Sequence, residues 1–177
     1  MRHLLKPHPA APCATVQTIS VEAERRKPGE LWLHFVLQGN MAQLRVPAPD
    51  ASLRTDNLWH HTCFEAFIAP GTSPTYREYN LSPSTRWAAY SFTGFRQGMA
   101  DLPQPVPPVI ALGATPHAME LTARVVPDLP PDMPWRLALT TVVESTNGDK
   151  SFWSLAHPAE KPEFHHPDGF VLQLPAP

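Results

Sequence analysis

Two glutamates, Glu65 and Glu78, are the residues whose type and spacing offer chemistry most directly. They lie in consecutive apolar stretches, 63–68 and 76–81, separated by a turn around Pro70-Gly71. If these stretches form a hairpin that pairs 65 with 78, both carboxyls project from one face, because opposed residues share a face. A slip of one residue would send Glu65 to the other side. Like charges so placed repel, so they must meet a cation, share a proton or receive ligand hydroxyls. Asn80 is two residues beyond Glu78 and shares its side, whereas Arg77 points away. Arg86 and Arg96 are the cations that could pair with the acids. Three chemistries fit: a structural ion-pair network, a site for the paired hydroxyls of a sugar ring, and glycoside hydrolysis by two acids. A flat sheet face offers no deep cleft for hydrolysis, so a binding protein is expected and not an enzyme.

Aromatic residues could complete such a site. Trp59 and Trp87 sit beside polar neighbours and, with Tyr76, Tyr90 and Trp153, could offer apolar platforms to the C–H face of a ring. Trp135 alternates with Leu137 and Leu139 and reads as core. The nine histidines include the adjacent pairs His60-His61 and His165-His166. Adjacent strand residues face opposite ways, so each pair gives one site at most one ring. No Cys-x-x-Cys or His-Glu-x-x-His spacing occurs, and no dedicated metal site is expected. A haem would need Met99 together with His157, His165 or His166 as axial donors. The plainer roles are packing for Met99 and a loop-fixing hydrogen bond for His165. No cofactor is therefore expected, with haem as the alternative. There is no Gly-x-Ser-x-Gly elbow, phosphate loop or dinucleotide fingerprint. Cys63, in an apolar strand, reads as an inert thiol.

The elements that must position these residues are strands. Leu31, Leu33, Phe35 and Leu37 share one face, and Met119, Leu121, Ala123 and Val125 repeat the period of two. Strands are expected at 16–22, 31–37, 43–46, 63–68, 76–81, 86–92, 119–125, 135–144, 151–153 and 170–174. Pro28-Gly29, Gly39-Asn40 and Asn147-Gly148 punctuate them, the last as a hairpin signal. The 23 prolines in 177 residues are more than twice the usual share of about 5%. Proline has no N–H to give a helix or central strand, so elements must be short. Residues 102–109 read as an extended proline-rich connection. The expectation is one all-β domain over 1–177, a two-sheet antiparallel β-sandwich of about ten short strands with proline-rich loops. Residues 1–12 are expected to form a loose N-terminal arm.

Charge is balanced, with 14 Lys+Arg against 16 Asp+Glu. No basic footprint supports nucleic-acid binding. No stretch nears the roughly 20 apolar residues of a membrane span. Lys6, Pro7, His8 and Pro9 interrupt any leader-like run, so a cytoplasmic protein is expected, with Cys13 and Cys63 as free thiols.

Three segments carry a resemblance: residues 58–68 (LWHHTCFEAFI), 76–83 (YREYNLSP) followed by Trp87, and 152–155 (FWSL) with 162–170 (PEFHHPDGF). Together they resemble DOMON-like domains related to family 9 carbohydrate-binding modules. Similar domains show a Phe-Glu-x-Phe-Ile strand, then a Tyr-x-Glu-x-Asn strand, and close with Phe-His-x-Pro before a last strand. The match runs in order through residues 56–174. It implies a β-sandwich that holds a small ligand, and together with the residue types and strand parity above the ligand is expected among Glu65, Glu78, Asn80, Trp59, Trp87, Arg86, His165 and Asp168. That ligand is a sugar or similar polyhydroxylated molecule, or alternatively a b-type haem in electron transfer or sensing. A third alternative is a structural or protein-interaction domain without a small ligand.

Overall fold

Period-two alternation becomes strand along most of the chain in the computed structural model, which describes residues 1–177. Twelve strands follow in order: β1 (Arg2–Pro7), β2 (Val16–Lys27), β3 (Glu30–Gly39), β4 (Cys63–Pro70), β5 (Tyr76–Leu81), β6 (Trp87–Phe92), β7 (Ala100–Asp101), β8 (Val109–Ala114), β9 (Ala118–Val125), β10 (Trp135–Glu144), β11 (Lys150–Ser154) and β12 (Leu172–Leu174). The helical content is three single 3-10 turns, at Met41–Gln43, Leu58–His60 and Pro167–Gly169. Every strand pairing is antiparallel.

Hydrogen bonding runs continuously in the order β7-β6-β5-β4-β10-β11-β1-β2-β3-β9-β8, with β12 beside the start of β10. The expected pair of separate sheets is therefore one curled sheet. β1 makes the join: Leu5 pairs with Ile19 of β2, while Lys6 and Pro7 pair with Ser154 and Trp153 of β11. This corrects the reading of residues 1–12 as a loose arm. Leu5 is buried, the His8 N–H donates to the Phe152 carbonyl at 2.7 Å, and Pro7 merely ends the strand. Residues 43–46 are not a strand either. Gln43 ends the Met41–Gln43 turn, Leu44 caps it, and Leu44 makes one isolated bridge to Ser145.

The main core fills the concave side of the curl. Leu33, Phe35 and Leu37 of β3 and Leu121 of β9 meet Phe64 and Ile68 of β4 and Leu137 of β10, all fully buried. The Phe35 and Phe64 rings, 5.0 Å apart, mark where the two halves of the sheet touch. β4 is buried at all eight positions, on both faces. Its second face is covered by loops rather than by strands, and the candidate site lies there.

Candidate functional site

The β4–β5 hairpin places Glu65 opposite Asn80 and Phe67 opposite Glu78. The register differs by two residues from the expected pairing of 65 with 78. In that pairing Ala69 would face Pro74, which has no N–H to give the ladder. The observed register leaves Pro74 in the turn. An even shift preserves the face, so Glu65, Phe67, Glu78 and Asn80 all stand on one side. Pairing with β6 adds Tyr90 and Phe92 to that side, and pairing with β10 and β11 adds Thr140, Val142 and Phe152.

Above this floor is a cavity of about 490 Å³. Its walls are Tyr90 and Phe92 of β6, Phe152 of β11 and Phe164 of the closing loop, with Trp59 and Met99 at the rim. Trp59 is about half exposed and stacks on His60 at 3.9 Å. Asn57 and Arg96, both cavity-lining, hold positive φ angles of 63° and 53°. Non-glycine residues adopt that region rarely and at a cost, and such conformations gather at functional sites. The tight turn at Arg96 is closed by the Gln97 N–H donating to the Gly94 carbonyl at 3.0 Å.

Each acid is fixed through one oxygen. Thr140 donates to Glu65 Oε2 at 3.0 Å, and the Asn80 amide donates to Glu78 Oε1 at 2.7 Å. Glu65 Oε1 has no hydrogen-bond partner, and Glu78 Oε2 lies 3.8 Å from His165 Nε2. Burial pushes the Glu65 carboxyl well up, and neighbouring Glu78 pushes it further against the opposing Thr140 bond. Burial also raises Glu78, against the pull of the Asn80 bond and the Arg96 charge. His165 is driven down to about 4 by burial and by Arg96, so its ring is neutral near neutral pH. The Tyr76 hydroxyl, pushed up to about 12 chiefly by burial, pairs with His165 Nδ1 at 2.8 Å. A neutral ring accepting there carries its proton on Nε2, towards Glu78. Arg96 does not neutralise the two acids directly; its Nε donates to Glu163 at 2.8 Å. Glu163 also accepts from the His165 N–H at 3.0 Å. Against its own burial, these bonds hold the Glu163 carboxyl below the usual value.

Glu65, Glu78, Trp59 and His165 therefore line one cavity, and Asn80 supports it through Glu78. Three of the expected site residues are elsewhere. Trp87 opposes Leu81 and points into the main core, where its indole N–H is buried without a partner. Its odd position on β6 opposes the cavity-facing parity of Tyr90 and Phe92. Arg86 Nε binds Asp50 at 2.9 Å and its Nη1 binds Thr55 at 3.0 Å, tying down a loop. Asp168 is exposed at the Pro167–Gly169 turn, with only His166 near it at 3.9 Å. Of the haem-axial candidates, Met99 and His165 reach the cavity. His157 is engaged with the Lys6 carbonyl at 2.7 Å and packs on His8. Phe92 and Phe152 escaped the sequence reading although strand parity could have found them. Asn57 left no signal at all.

Fold and cavity together define an all-β architecture with a ligand-sized recess on the convex face of its sheet. No protein-family model matches the chain, and no curated protein sequence matches it. Solved structures do share its fold. A candidate carbohydrate-binding protein of Bacteroides uniformis superposes with a TM-score of 0.71 at 16% identity, over 96% of this chain and 84% of that one. A family 9 carbohydrate-binding module of Caldicellulosiruptor kristjanssonii in complex with cellotriose gives 0.54 at 7% identity, over 88% and 72%. A family 9 module of the same organism in complex with glucose gives 0.51 at 8% identity, over 85% and 73%. The chain is similar in fold to these carbohydrate-binding proteins.

Proposed function

We propose that this protein is a non-catalytic saccharide-binding module whose site is the cavity over β4, β5 and β6. One observation carries the reading: two buried carboxyls, each with an unpartnered oxygen, face into a cavity walled by aromatic rings. Aromatic faces suit the C–H surface of a sugar ring, and buried carboxylates suit its hydroxyls. The cavity's 490 Å³ falls in the range of roughly 300–1,000 Å³ usual for small-molecule sites. The sugar-bound modules of similar fold support the same class of ligand. The unpaired thiols of Cys13 and buried Cys63 suit a reducing compartment such as the cytoplasm.

Isothermal titration with glucose and cellotriose tests the reading. Saturable single-site binding is expected, with no release of chromophore from nitrophenyl glycosides; absence of binding across a panel of saccharides would overturn it. A second reading, b-type haem, rests on Met99 and His165 lining the same cavity. The buried carboxyls of Glu65 and Glu78 beside His165 suit hydroxyl donors, which favours the sugar. A Soret band in the purified protein would reverse that preference.

A further inference from the structure

The cavity is unbalanced in charge. Its ionisable lining consists of Glu65, Glu78, His165, Arg96 and Tyr90, whose hydroxyl is kept protonated by burial. Arg96 donates through its Nε to Glu163 and acts on Glu78 only as a nearby charge without a hydrogen bond, and burial favours the neutral form of His165. Thr140 and Asn80 satisfy one oxygen of each acid and bring no charge. Glu65 Oε1 and Glu78 Oε2, on side chains more than nine-tenths buried, face the recess without a hydrogen bond. A neutral sugar could donate hydroxyls to them, but the two acids would then either repel one another out of reach of bulk water or keep a proton between them, as their raised carboxyls already favour. A cation would remove that cost. The walls suit one as well, since Tyr90, Phe92, Phe152 and Phe164 present aromatic rings to the same space and aromatic faces attract cations.

We propose that the saccharide recognised here carries a protonated amine: an amino sugar whose ammonium sits between Glu65 and Glu78 while its ring lies against the aromatic wall. This rests on the saccharide reading and narrows it. The ammonium supplies three donors, enough to meet both free carboxylate oxygens. The side-chain amide of Asn57, on the rim and free of hydrogen bonds within the protein, is left for a ring hydroxyl.

The test compares glucosamine, N-acetylglucosamine and glucose by isothermal titration at neutral pH. Acetylation removes the charge and keeps the ring. Glucosamine should bind more tightly than either of the others by about tenfold or more, the scale of a charge-assisted contact. In Glu78→Gln that preference should shrink to near parity, while circular dichroism shows an unchanged fold. Glucose or N-acetylglucosamine binding as tightly as glucosamine would overturn the amine proposal and leave the saccharide reading standing. Failure of all three to bind would overturn both. A glucosamine preference that survives in both Glu65→Gln and Glu78→Gln would place the ammonium elsewhere and overturn the proposal.

Discussion

The two faces of β4, β5 and β6 are made by alternate residues of the same strands, yet they are built on opposite principles. On the concave face Phe64, Ala66, Ile68, Tyr79, Leu81, Trp87 and Ala89 join the main core. The one polar group that Tyr79 brings there is answered, its hydroxyl donating to the Val126 carbonyl at 2.9 Å. The convex face carries Glu65, Glu78 and Asn80 among Phe67, Tyr90 and Phe92, and leaves a recess unfilled. Burial is nearly as complete on this side, since Glu65 is 3% and Glu78 is 6% exposed. Burying an acid costs free energy wherever it is done. The concave face therefore serves stability, and the convex face gives up stability to hold two carboxyl groups at a fixed place.

The largest effect expected from this contrast is on folding. Trp87→Ala empties a large site in the main core and should destabilise by about 3–5 kcal/mol in denaturant unfolding. Trp59→Ala, at the exposed rim of the recess, should barely change the unfolding midpoint and should weaken ligand binding. Equal losses of stability from the two would erase the distinction between the faces.

Next in size is the direct contact. Glu78→Gln keeps shape and removes charge, and should weaken saccharide binding by roughly 1.5–3 kcal/mol. The same variant should be as stable as the parent or more so, because it removes a buried repulsion.

A smaller effect is the pH dependence of stability. Burial raises both glutamates above their ordinary value of 4.5. The folded protein then binds more protons than the unfolded chain between the two values, and stability falls as pH rises through that window. His165 acts oppositely: lowered from 6.5 to about 4, it adds stability as pH rises between those values. Above about pH 6.5 its contribution is complete. Thermal melts of the ligand-free protein should therefore show Tm declining between about pH 6.5 and 8.5, with a shallower decline in Glu78→Gln. A rising Tm over that range would contradict the burial of the two acids. Smallest of all, Arg86→Ala should leave saccharide affinity unchanged, since Arg86 serves the Asp50 loop.

Period two made most strands legible, and β5 has the bounds expected of it. Face was legible too: Glu65, Glu78 and Asn80 needed only parity, which survived an error of two in the register. The strands that escaped carry weak patterns. β1 buries only Leu5, and β8 is an edge strand in which no residue is fully buried. The curl of one sheet through β1, in place of two sheets, depends on long-range pairing that no local pattern encodes. Trp87 was misplaced because its residue type, which suits a binding platform, outweighed its parity, which points to core. The closing loops offered Trp59, Met99 and His165 by residue type, but their backbone was illegible for a different reason. Asn57 and Arg96 reach the recess from local turns with left-handed backbone, which no alternation of apolar residues marks.

The most direct test of the convex-face site is a backbone amide chemical-shift map of the protein titrated with a saccharide that it binds. The account predicts shifts concentrated at Glu65, Phe67, Glu78, Asn80, Tyr90 and Phe152, with Leu33, Phe35 and Leu121 of the concave core unmoved. Shifts centred elsewhere, such as on the open surface around His61 and Glu144, would contradict it.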